Sequence, residues 1–320
     1  MKLNQVIKGA AWLGWLAGVL LLGQVPVDTS ILEGALNGLE KQADGSVIAR
    51  VMATRVRVTS ATRIYTPTAN LTLEQLCATN RFPGRTLAGF LGGSVIAMGR
   101  EESPLLVVAR DFFVEPAENV LIGTVTGVLA NGGVSINGTP VMRLEDSRIP
   151  AHPMRNAFGL EIDPTQIPLG TPATAEGYFD GRCFRSFILD MTGVLPLKDT
   201  VNPQIGVTQA RCTESFPDDR KGDRIDLLGG VTLFHLPANV SSQSVDIYRV
   251  DGGTATFLAR TTATRDLVQP SLGLLNVRFE TLPTTNPVLG RAPTLLKLVM
   301  PANGTTLRQP VTQLAFPLVK

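Results

Sequence analysis

Histidine, tryptophan and cysteine are scarce: 320 residues hold two His, two Trp and three Cys. Histidine is the commonest general base and metal ligand, so chemistry built on it has little to work with. No His-x-x-x-His or Cys-x-x-Cys spacing occurs, which leaves zinc and haem attachment without support. Gly-x-Ser-x-Gly elbows, phosphate loops and dinucleotide fingerprints are missing as well. Three cysteines exclude a disulfide-dense mini-scaffold. An excess of one charge is also absent: 29 Lys and Arg stand against 27 Asp and Glu. The chain does carry a 44% apolar fraction, ample for hydrophobic cores and too high for global disorder.

The N-terminus has its own pattern. Lys2 and Lys8, with no acid nearby, precede the apolar run Ala10–Leu22. A basic start followed by a short apolar stretch predicts a secretory signal. The run is shorter than the ~20 residues a spanning helix needs. The expectation is a signal peptide over 1–23, cleaved after Gly23, with an uncleaved anchor as the alternative. Either way the body lies outside the cytoplasm. Loss of Lys2 and Lys8 leaves 27 basic and 27 acidic residues, and Trp12 and Trp15 go with them. A neutral surface argues against a nucleic-acid binder, which needs basic groups to displace counterions.

Ser30–Lys41 places Ile31, Leu32, Ala35, Leu36 and Leu39 at helical spacing, which predicts an N-terminal helical segment within 24–45. Beyond it the pattern is all-β. Short runs rich in β-branched residues, such as Val47–Val58, Leu105–Val114, Val120–Leu129 and Thr171–Phe179, are separated by turn pairs such as Asn137-Gly138 and Asp180-Gly181. Gly92–Gly99 resembles Gly170–Gly177 at an offset of 78, which indicates a duplicated unit. In the second copy Gly123-Thr124-Val125, Val134-Ser135-Ile136-Asn137-Gly138 and Leu169-Gly170 through Ala173 to Gly177 succeed one another. This order resembles the small OB-like barrel repeats of exported bacterial proteins of unknown function, over roughly residues 46–192. The resemblance implies two tandem barrels, 46–117 and 118–194, and no particular activity. In copy one a short helix over Leu71–Cys77 stands where a third strand is expected. Residues 195–229 read as a polar linker with one strand at Gln204–Arg211. Residues 230–320 resemble an immunoglobulin-like or fibronectin-type β-sandwich, with a hairpin turn at Asp251-Gly252-Gly253.

Candidate sites are few. Cys183 and Cys212 are the closest pair in sequence and the preferred disulfide of an exported chain, which leaves Cys77 as a buried thiol. Asp218, Asp219, Asp223 and Asp226 form the densest acid cluster and the one weak calcium candidate. Basic residues interleave with them, which favours a solvated segment. Arg55 and Arg57 share one face of a strand, as an anion or polysaccharide groove or as an ion-paired wet face. His152 and His235 read as structural residues. No catalytic constellation, metal site or cofactor is expected. The sequence therefore predicts a non-catalytic modular protein that binds a protein partner or self-assembles, as a surface or filament component. It predicts no nucleic acid and no membrane span after cleavage. The alternative is a secreted hydrolase using carboxylates between the barrels, with Glu161, Glu176 and Asp180 as candidates. A minor alternative is a binder of single-stranded nucleic acid or polysaccharide.

Overall fold

The structure is a computed structural model and describes residues 30–193, 195–214, 222–282 and 291–319. The predicted signal, 1–23, lies outside the described residues, as do Asp218 and Asp219. Strands make up 53% of the chain and helix 3%, so the fold is all-β.

The first unit opens with β1 (Ser30–Lys41), β2 (Val47–Val51) and β3 (Thr54–Val58), a simple meander. Then come the short β4 (Arg63–Tyr65) and β5 (Asn70–Leu71), and α1 (Leu73–Leu76), capped by a reciprocal Thr72–Gln75 box. The long hairpin of β6 (Ser94–Ser103) and β7 (Leu106–Glu115) completes it. β6 pairs with β1, and β7 pairs in parallel with β3, which closes a five-stranded barrel. The helix expected over Ser30–Lys41 is therefore strand β1, and barrel one begins at Ser30 instead of residue 46. Leu32, Gly34 and Leu36 alternate inward, and Ile31, Glu33 and Ala35 face out. Two glycines within the segment oppose a helix by about 1 kcal/mol each. At Gly34 a side chain would collide with Met52 across the hairpin.

The second unit repeats the plan with β8 (Asn119–Val128), β9 (Val134–Ile136), β10 (Thr139–Arg143), β11 (Pro172–Phe179) and β12 (Phe184–Met191). The sheet closes in the order β10-β12-β11-β8-β9, with β10 and β12 parallel, as β3 and β7 are in barrel one. A 3-10 turn, Pro164–Gln166, occupies the place of α1. The offset of 78 marks a structural equivalence. The register shifts at Met98/Gly99 on β6 and at Glu176/Gly177 on β11. A Cβ on either glycine would strike backbone, Val108 O at 2.1 Å or Arg185 O at 1.9 Å.

The third unit starts within the expected linker. β13 (Ile205–Thr213) and β14 (Arg224–Thr232) pair with each other and join β15 (Ser242–Asp251), β16 (Thr254–Arg265), β17 (Leu272–Glu280), β18 (Leu296–Met300), β19 (Val311–Ala315) and β20 (Leu318–Val319). All eight strands form one sheet, in the order β19-β18-β15-β16-β17-β14-β13-β20. Only Phe316 and Pro317 separate β19, at one end of the order, from β20, at the other, so the sheet curls on itself around one core. The C-terminal module is thus all-β, built on one curled sheet that begins at Ile205.

Several contacts dock the units together. Tyr178 of barrel two donates a hydrogen bond to Pro83 O of barrel one, 2.7 Å. Gly159 and Gly206 bring barrel two so close to β13 that a Cβ on either would meet backbone within 2.4 Å. The outer face of barrel one joins the C-terminal core directly: Tyr65, Met98 and Phe113 belong to the same apolar cluster as Val231 and Leu298. β7 is consequently buried on both faces, like a strand sandwiched between layers.

Candidate functional site

The three units meet around a cleft of about 320 Å³, at the lower end of the size range of ligand pockets. Barrel one supplies Glu33 from β1, Ile96 from β6, and Phe113 and Glu115 from β7. The connector Pro116–Glu118 contributes Glu118. Barrel two adds Glu176 from β11 and Phe187 from β12. The C-terminal sheet closes the space with Thr208–Arg211 of β13 and with Phe316–Leu318. Four glutamates thus border an otherwise largely apolar recess, with Arg211 the only cation among its lining residues.

Glu115 is the most unusual of these groups. It is 92% buried by residue surface, and no hydrogen bond or ion pair reaches its carboxylate among the described residues. Burial, reinforced by Glu118 and Glu176, pushes its carboxyl up to about 8. The register explains why no cation stands opposite it. Asp111 and Glu115 lie four residues apart on the same outer face of β7. β4 runs beside β7 with Arg63 opposite Asp111 and Tyr65 opposite Phe113. β4 then ends, and continuing its register would place Pro67 beside Glu115. Proline has no side chain to answer a carboxylate, and Pro67 lines the cleft.

The paired end of that face is quite different. Arg63 Nε contacts Asp111 Oδ1 at 2.5 Å, and Arg110 Nε contacts Asp111 Oδ2 at 2.8 Å. Arg110 also reaches Glu214 of the C-terminal unit, and Arg63 donates to Ala292 O. Burial opposes the charge on Asp111, but the two guanidinium groups hold it below the usual carboxylate range. Glu176 is intermediate. Burial raises its carboxyl, Asp190 adds to the rise, and Arg155 offsets part of it.

Most residues singled out in the sequence lie elsewhere. Glu161 pairs with Lys198 at 2.6 Å. Asp180 accepts from the backbone of Arg182 and Cys183 and pairs with Arg185 at 2.7 Å. Burial works against its charge, yet these bonds hold it well below the usual range, so it braces the β11–β12 turn. Of the three carboxylates proposed for an inter-barrel site, only Glu176 lines the cleft. Arg57 pairs with Glu102 at 3.0 Å, and Arg55 lies exposed on the same wet face of β3, away from the cleft. Asp226 pairs with Arg278 and Arg224, and Asp223 is buried at the start of β14. No group of three His, Cys, Asp or Glu among the described residues is arranged to hold a metal ion.

The expected Cys183–Cys212 bridge is corrected: all three cysteines are free thiols. Cys183 closes the β11–β12 turn of barrel two, with Sγ 3.4 Å from Asp180 Oδ2. Cys212 is buried in the C-terminal core, so proximity in sequence did not become proximity in space. Cys77 is half-buried beside α1. His152 has its ring pushed down to about 4 by burial and by Arg155 and Arg143. His235 shares a 3.3 Å contact with Gln243.

Fold and cleft together define a class: a tandem OB-like double barrel docked on a curled β-sheet, with an acidic recess at the junction. No known family model matches the chain, and no curated protein matches it. Among the described residues, no helix is long and apolar enough to cross a membrane.

Proposed function

We propose that this chain is an exported, non-catalytic binding protein of the cell envelope or extracellular space, which holds its partner in the cleft between its three β units. The basic, apolar N-terminus supports export. The observation that carries the binding role is the cleft itself: three separate units converge on it, and the carboxyl of the largely buried Glu115 faces it with no hydrogen bond or ion pair from the described residues. Binding sites favour such junctions between domains. Filament or surface assembly is one form this binding takes when the partner is a second copy.

Ala117→Trp, which fills the cleft at the connector, tests the reading. The wild-type chain is expected to retain a partner from its native envelope fraction, with slowed amide exchange along β7 and β13. Ala117→Trp should keep the thermal transition and lose both effects. Equal retention by both proteins, with no protection at the cleft, contradicts the reading.

A second reading draws on the same glutamates. A carboxyl raised to about 8 near other carboxylates is the arrangement that general-acid hydrolysis uses. Turnover of polymeric glycans that disappears in both Glu115→Gln and Glu176→Gln would favour it over binding.

A further inference from the structure

We infer that the cleft is a receptor for an alkylammonium group, a cationic nitrogen on an aliphatic stem, with Glu115 as the carboxylate that takes the charge. The inference rests on the cleft-binding reading and names the chemistry of what enters.

The lining selects by charge first. Glu33, Glu115, Glu118 and Glu176 face the space from β1, β7, the connector and β11, and Arg211 faces it from β13. An anion would meet four carboxylates, while a cation finds acceptors on two walls. Metal coordination is a poorer match, because no three acidic, His or Cys groups among the described residues are grouped for it. The remaining walls then favour an organic cation. Ile96, Phe113, Phe187, Ile188 and Leu318 present apolar surface that an aliphatic stem can cover, and aromatic faces also tolerate ammonium groups.

The setting of Glu115 supplies a second observation beyond the lining charge. Glu115 is 92% buried as a residue, and its carboxyl faces the cleft with no hydrogen bond or ion pair from the described residues, where a charge is costly to hold without a counter-ion. Its neighbour on the same face, Asp111, is satisfied by two arginines of the chain itself. The equivalent cation for Glu115 is supplied by nothing in the described residues. In the empty cleft at neutral pH a proton fills that role, since burial and the nearby Glu118 and Glu176 hold the carboxyl protonated. An entering ammonium replaces the proton: the Glu115 O–H bond breaks, its electron pair stays on the carboxylate, the proton passes to solvent, and no other covalent bond changes. Glu176 answers to Asp190 and Arg155 as well, so the proton count should follow Glu115 first. Affinity should then rise about tenfold per pH unit below pH 8 and decline again as the amine loses its own proton near ~10.

The test is calorimetric titration of the full-length chain at pH 7 in two buffers of different ionisation enthalpy. The probes are 1,5-diaminopentane, N-acetyl-lysine amide and the uncharged N-acetyl-norleucine amide. The expected result is binding of at least one amine, release of about one proton per amine bound, and no binding of norleucine amide. Preference for the diamine marks a free amine as the source, and preference for the lysine amide marks a basic polypeptide. Glu115→Gln mimics the protonated acid and should fold normally, as its thermal transition would show. It should bind at least tenfold more weakly and release no proton. Arg211→Ala, which removes the competing cation, should bind a few-fold more tightly. Amine binding unchanged in Glu115→Gln, or equal binding of norleucine amide, overturns the inference. No amine binding below 10-millimolar order also overturns it. In that last case, partner retention still lost in Ala117→Trp leaves the cleft-binding reading standing.

Discussion

Two acids on one face of one strand teach most about this molecule. Asp111 and Glu115 flank Phe113 on the outer face of β7, and both are buried where barrel one meets the C-terminal sheet. Asp111 lies opposite Arg63, contacts Arg110 and is held ionised. Glu115 lies past the end of β4 and contacts no cation among the described residues, and burial raises its carboxyl to about 8. The same side-chain chemistry serves structure at one end and is left available at the other. The difference is set by where a three-residue strand stops.

The largest effect is expected from breaking the satisfied end. Asp111→Ala leaves Arg63 and Arg110 buried without their shared acceptor and should cost about 3–5 kcal/mol, read by urea unfolding at pH 7. The pH dependence follows from the direction of the shift. Asp111 is depressed in the folded protein, so its contribution is present above the unfolded carboxylate range and is lost as pH falls through the lower folded value. Wild type should therefore lose its advantage over Asp111→Ala in strong acid.

Glu115→Gln should do the opposite. The folded carboxyl titrates at about 8, above its ordinary 4.5, so wild type is most stable below pH 4.5 and loses stability as pH rises through 8. The glutamine variant lacks that loss. At pH 9 it should exceed wild type by something on the order of 5 kcal/mol, and at pH 4 the two should match. A flat difference across this range would place Glu115 in an ordinary solvated setting.

The fold was legible where local chemistry decides. Asn137 and Gly138 both adopt positive φ, 49° and 81°, as their dipeptide demands in a tight hairpin. The offset of 78 led to equivalent glycines at equivalent register shifts. Ser30–Lys41 misled because its apolar residues satisfy a helical period as well as alternation, and barrel closure with β2 and β6 settles the choice. Glu115 was not legible at all. Its role depends on the end of β4, on the turn at Pro67 and on a sheet more than ninety residues later in the chain. The one signal was indirect: Leu106–Glu115 is a long apolar strand punctuated by charge, the pattern of a strand covered on both faces.

Smaller changes sharpen the contrast. The register shift at Met98/Gly99 sets Asp111 opposite Met98 and leaves Arg110 as the extra residue. Gly99→Ala forces a Cβ against Val108 O and should cost about 1–3 kcal/mol. Its effect should be smaller in an Asp111→Ala background than in wild type, because the two share one network. Arg57→Ala removes an exposed ion pair with Glu102 and should stay within about 0.5 kcal/mol of wild type.

The most direct test is the titration of the Glu115 carboxyl itself, followed by carbon-13 NMR of the labelled side chain and assigned with Glu115→Gln. The account predicts a midpoint near 8 in the empty protein, moving to lower pH when 1,5-diaminopentane is added. A midpoint near the ordinary 4.5, unmoved by the amine, would contradict it.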